Sequence, residues 1–166
     1  MANSWDELAL RADFIAHVRV VARAAATGPA RTPATMYECD VLDIFKPWSG
    51  PDSHPSTVNV FIIESGDHRT GGYLRSPLQG APRWHEGNEY LLFLKWNHVM
   101  RGWHTAFGVT ATLEVGGDRT RRNVHVVGPG SKFIRSQEGR ALEIVKAELR
   151  KALLKNGRGG ARREIS

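Results

Sequence analysis

Seven histidines, His17, His54, His68, His85, His98, His104 and His125, are the side chains best able to bind a metal or move a proton. A zinc site wants three or four such ligands at the short spacing of one helix or hairpin, and no two of these histidines stand that way. The single cysteine, Cys39, adds no thiolate cluster and allows no internal disulfide. His85-Glu86 is not the start of a zinc-protease helix, because the fifth position is Glu89 and Gly87 disfavours a helix there. The nearest approach to a pair needs His98 and His104 folded together across a hairpin between Trp96 and Trp103. No metal and no cofactor is expected.

Three carboxylates, Glu38, Asp40 and Asp43, lie on one extended segment, and Glu38 and Asp40 share a face. Paired carboxylates can act as acid and base. The same spacing is what the solvent side of a half-buried strand looks like, and that reading is preferred. Ser65-Gly66-Asp67-His68 resembles a nucleophile set but lacks the strand-turn-helix context that presents a reactive serine. No enzyme is expected. The tryptophans are more informative: Trp48, Trp84, Trp96 and Trp103 fall at strand ends or in loops, where aromatic platforms bind ligands. The alternative is that they plug the ends of a core.

These residues must be held by strands. Tyr90-Leu91-Leu92-Phe93-Leu94 is the most apolar run, entered through the polar turn Glu86-Gly87-Asn88. Tyr90, Leu92, Leu94 and Trp96 face one way and Leu91 and Phe93 the other, so both faces need cover. Alternation also predicts a strand over 14–21, with Phe14, Ala16, Val18 and Val20 inward, and one over 35–45, with Tyr37, Cys39, Val41 and Phe45 on one face. A loop over 24–33 separates these two. Further strands are expected over 57–63, weakly over 69–78, and over 109–115 and 123–127. Ser4 and Glu7 have capping-box spacing, so a short helix should run to about Ala12. From Ser136, Leu142, Val145, Leu149 and Leu153 recur at helical steps over about five turns. Asn156-Gly157 reads as the stop of that helix. The pattern describes a mainly β fold: a small closed or partly open antiparallel barrel with a short N-terminal helix and a longer amphipathic C-terminal one.

A length of 166 residues suits one domain. The organisation read from it is a barrel over 1–131, a helix packed on it over 132–157, and a disordered basic tail over 158–166. The net charge of +6 is all in the arm: the first 131 residues hold 13 Lys/Arg and 13 Asp/Glu, the remaining 35 hold 10 and 4. An electrostatic partner would therefore meet the arm, through residues such as Arg140, Arg150 and Lys151. Nothing approaches the ~20 apolar residues of a membrane span, and no signal peptide is visible. As it stands the chain reads as cytoplasmic, and as secreted or periplasmic if a leader has been removed.

The quoted strands carry a resemblance. A short acidic helix precedes ADFIAHVRVVA, the second strand ends in VLDIFKPWSG, and TVNVFII leads through a glycine-rich loop to WHEGNEYLLFL. That order resembles the bacterial netrin-like domains related to tissue inhibitors of metalloproteinases, over roughly residues 7–115. The resemblance implies an OB-like barrel and a module that binds another protein. His17, the KPWSG segment and Asn88 between Gly87 and Glu89 depart from the usual pattern. The animal inhibitors chelate the protease metal through an N-terminal cysteine, and here position 1 is Met1. Protease inhibition therefore does not carry over, leaving a divergent inhibitor using the loop Pro47 to Pro55 as the weakest reading. Nucleic-acid binding through the barrel face and the basic arm is the second, opposed by the neutral body. The first is a non-enzymatic interaction module, with Trp48, Trp84, Trp103, Arg140, Arg150 and Lys151 as its candidate contact residues.

Overall fold

The computed structural model describes residues 2–28, 31–63, 84–107, 111–118, 120–128 and 130–165, with side chains to 157. The weak strand expected over 69–78 and the Ser65–His68 group lie outside the described residues.

Helix α1, Trp5–Arg11, starts at Ser4, whose hydroxyl accepts the Glu7 N–H. The Glu7 carboxylate reaches back one residue further than a capping box requires, to the Asn3 N–H at 2.8 Å. Lys46 closes the other end, its ammonium donating to the Ala9 and Ala12 carbonyls at 2.8 and 2.6 Å. A cation at a helix C-terminus satisfies orphan carbonyls and complements the dipole.

Seven strands come next: β1 Phe14–Thr27, β2 Pro33–Lys46, β3 Thr57–Ile63, β4 Glu89–Asn97, β5 Gly102–Thr105, β6 Thr112–Gly117 and β7 Arg122–Val126. The loop expected over 24–33 is shorter than the composition suggests. Ala24 to Thr27 ladder with Met36 to Pro33, and Pro33 sits at the first strand position, where its missing N–H costs little. β1 pairs β2 and β4, β2 pairs β3, and β5 pairs β4, all antiparallel. One parallel bridge, Val60 to Trp103 between β3 and β5, completes a ring of five strands. β4 is the hub: β1 takes one edge, and β5 and β6 share the other. β7 extends the sheet beyond β6.

The alternation along β4 divides the core as expected. Tyr90, Leu92 and Leu94 join Phe14, Ala16, Val18, Val20, Tyr37, Cys39 and Val60 inside the ring. Leu91 and Phe93 join Ile15, Leu113 and Val124 on the opposite face, covered by Trp5 and Leu8 of α1. Cys39 is a fully buried core residue; burial first, then Asp40 and Glu38, push its thiol up to about 12.

Strand β2 departs from simple alternation. Val18 pairs Val41, His17 pairs Asp43, Ala16 pairs Ile44 and Ile15 pairs Lys46, so Leu42 and Phe45 are extra residues. Each such bulge switches the residues downstream of it to the other face of the strand. Ile44 therefore packs toward the ring interior and Phe45 leaves the face of Tyr37, Cys39 and Val41 for the helix side.

The C-terminal region holds a single turn, α2 Lys132–Arg135, then α3 Leu142–Ile165. Ser131 caps α2 and donates its hydroxyl to the Ala2 carbonyl at 2.7 Å. α3 begins six residues later than the periodicity suggests, because residues 136–139 turn and Gly139 takes φ +78°. It also continues beyond Gly157 to Ile165, so Asn156-Gly157 does not end it and the tail expected to be disordered is helical. The Asn156 amide donates to the Ala152 carbonyl one turn back and to Asp6, which keeps the chain in register instead of turning it out. Leu142, Val145 and Leu149 are fully buried against the sheet. Among the described residues no helix is long and apolar enough to cross a membrane.

Candidate functional site

Three of the tryptophans meet at one end of the ring. Trp96 and Trp103 are cross-strand partners in the β4–β5 hairpin, their centroids 5.1 Å apart at 72°. The Asp13 carboxylate accepts the Trp96 N–H at 3.0 Å and fixes that end of β4. Pro47 ends β2, and the chain then folds Trp48 back onto both, 4.8 Å from Trp96 at 33° and 5.0 Å from Trp103 at 77°. Gly50 allows this, because a side chain there would collide with the Trp48 indole. Trp103 is buried, whereas Trp48 and Trp96 are half-buried.

The hairpin turn is shaped by Asn97, whose side-chain oxygen accepts the Val99 and Met100 N–H groups at 2.9 and 3.0 Å. It places Arg101 at φ +52°, a left-handed conformation that a residue with a side chain rarely adopts. Beside the indoles opens a cleft of about 220 Å³, bounded also by Asp52, Pro55, Asn59 and Arg101. Aromatic faces with a few placed polar groups are the chemistry of a binding surface.

Trp84 is not part of it. Its side chain is fully buried inside the ring, 4.9 Å from Tyr37 and 5.6 Å from Tyr90, and its indole N–H has no acceptor among the described residues. The Glu86-Gly87 turn before β4 is a turn only, with Gly87 at φ +87° and the His85 N–H donating to the Tyr90 hydroxyl at 2.8 Å.

Of the seven arm cations whose side chains are described, four are engaged. Arg140 forks onto Glu148 and reaches Gln137 at 2.6 Å. Arg150 pairs with Asp43 at 2.8 Å and lies over Phe45 at 4.8 Å, while Lys146 approaches the same carboxylate at 3.6 Å. The bulge at Leu42 makes this possible by turning Asp43 toward α3, away from the inward face of Tyr37, Cys39 and Val41. Lys155 meets Asp6 at 3.6 Å. Lys151 lines a groove of about 330 Å³ between α1 and α3, with Trp5, Phe133 and Ala152.

Sequence reasoning missed a polar cluster under α3. Glu89, at the start of β4, accepts from Arg122 at 2.6 Å, lies 3.4 Å from Arg19, and sits 2.7 Å from the buried His17 Nε2. That last approach is off the axis of a good hydrogen bond, so it is electrostatic rather than directional. The signal available was His17 itself, a polar residue at a position the pattern expects to be apolar. Burial first, then Lys146, hold the His17 pKa below its ordinary value, against the pull of Glu89. For Glu89, burial alone would raise the pKa; the Arg122 hydrogen bond and charge, with His17, outweigh it and bring the carboxyl down.

His17 is therefore neutral in the folded protein at pH 7, and its pKa is higher in the unfolded chain. As pH falls below about 6.5 the unfolded chain takes up a proton that the folded one refuses, so stability falls through that window. The expected loss is on the order of 1 kcal/mol between pH 7 and pH 5, read by urea midpoints. His17→Leu should flatten the slope; an unchanged slope in that variant refutes the assignment.

The hairpin register does not set His98 opposite His104. His104 stands opposite Lys95 on β4, and among the described residues no three His, Cys, Asp or Glu side chains converge as a ligand set. Set against protein-family models, curated proteins and solved structures, the chain matches none of them.

Proposed function

We propose that the protein is a non-enzymatic interaction module of netrin-like type on an OB-like barrel, and that it binds another protein through the cleft of Trp48, Trp96 and Trp103. The observation that carries this is the pair of half-buried indoles beside Asp52 and Arg101, neither of which pairs with a described residue. Indoles and arginines are the side chains most enriched at the energetic centres of protein interfaces. The arm supports nucleic-acid binding poorly, because Arg140, Lys146, Arg150 and Lys155 already face carboxylates of the same chain.

Photo-cross-linking from the cleft rim tests the reading. A single protein partner should be trapped by the unmodified chain and lost on Trp48→Ala, with the circular dichroism spectrum retained. A reproducible turnover in an unbiased hydrolase and transferase screen, abolished by the same substitution, refutes it.

A further inference from the structure

We propose that the segment received by this cleft is an extended, proline-bearing stretch of the partner flanked by a basic residue; this rests on the interaction-module reading. The cleft's size points away from a compact cofactor. At about 220 Å³ it lies below the roughly 300 Å³ at which small-molecule sites begin, and it is open to solvent along the indoles. A narrow trough of that kind fits one or two rings of a chain laid across it. Proline rings pack flat on tryptophan faces, and a polyproline helix has no internal hydrogen bonds, so its carbonyls need donors from the receptor.

The walls supply both requirements. Trp48 and Trp96, 33° apart, form the apolar side over the buried Trp103. Asn59 on β3 and Arg101 at the hairpin turn line the same cleft, and their amide and guanidinium N–H groups are the donors such carbonyls need. Asp52 supplies a carboxylate at the rim for a lysine or arginine beside the prolines. One carboxylate and one guanidinium leave the rim without net charge, which disfavours a polyanion such as RNA and suits a peptide with a single charge. Arg101 lines the cleft from a left-handed backbone position at the end of the turn that Asn97 shapes.

The probe is a ten-residue polyproline peptide, with and without one flanking arginine, titrated into the full chain labelled with ¹⁵N. The Trp48 and Trp96 indole signals should shift saturably while Trp84 stays still, and the arginine-bearing peptide should bind more tightly. Asp52→Asn should erase that advantage. Arg101→Gly should weaken binding roughly tenfold, the worth of a charge-assisted hydrogen bond, without lowering the unfolding midpoint. Silence of both indoles at millimolar peptide overturns the proposal, as does a neutral oligosaccharide that moves them when the peptide does not. If the peptide is silent but Trp48→Ala still loses the cross-linked partner, only the ligand class falls; if the cross-link also survives Trp48→Ala, the interaction reading falls with it.

Discussion

Replacing Phe93 with alanine is expected to cost about 3–5 kcal/mol of unfolding free energy, the range for deleting a buried ring. Phe93 is fully buried on the helix side of β4, with its ring 6.2 Å from Trp5, which in turn meets Phe133 edge-on at 4.9 Å. Those three rings lock α1, β4 and α2 together, so truncation leaves a void that no neighbour can fill without moving a whole element. Against a total of about 5–15 kcal/mol for a typical domain, the variant should be near its unfolding midpoint under mild denaturant. Leu10→Ala, at an exposed position on α1, should shift stability by less than about 0.5 kcal/mol. Urea melts of both variants read the difference. A cost below about 1 kcal/mol for Phe93→Ala, by that same measure, would mean that the helices are not a true second core layer.

Glu89→Ala is expected to cost about 2–3 kcal/mol, short of the full penalty for breaking a buried pair because the Glu89 carboxyl keeps some contact with water. The loss comes from the groups left behind. Arg122 and His17 lose their carboxylate, and His17 then faces Lys146 and Arg122 with only Asp43 across on β2 to offset them. Arg19, nearly half exposed and 3.4 Å away, contributes little. The pH dependence sharpens the test. Glu89 favours protonated His17, so its removal lowers the His17 pKa further and deepens the stability loss below about pH 6.5. The native protein should also show a second loss at lower pH. Glu89 itself, with a depressed pKa, stabilises above about pH 4.3 and gives that up as acid titrates the folded carboxyl. Glu89→Ala should shrink the second loss, to which Glu148 also contributes through its Arg140 hydrogen bond, while enlarging the first.

Much of the fold was legible because it is written in local alternation. Tyr90, Leu92 and Leu94 against Leu91 and Phe93 announce a strand between two cores, and that is where β4 lies. The bulge at Leu42 was not legible, since alternation continues through it in sequence and only the pairing of His17 with Asp43 shows the slip. The fate of Asp43 and Phe45 is decided by that one residue. Trp84 was misplaced for a different reason: an indole after a loop reads the same whether it caps the ring or fills it. The cations of the arm looked free because Asp43 and Asp6 lie more than 100 residues away from Arg150 and Lys155 in the chain. Trp48 and Trp103 stood out in the sequence as candidates, and the structure unites them with Trp96; Arg140, Arg150 and Lys151 lie elsewhere, on α3 or just before it.

The ring closes through a single parallel bridge, Val60 to Trp103, whereas every other seam has several residue pairs. Opening at that seam breaks only one residue pair of backbone ladder, so the β3 and β5 amides should exchange with solvent water sooner than those where β1 meets β4. Trp103 stands in the seam and in the cleft at once. A guest lying across the indoles would therefore staple the circuit shut, and its arrival should be visible as slowed exchange at Val60 and Trp103.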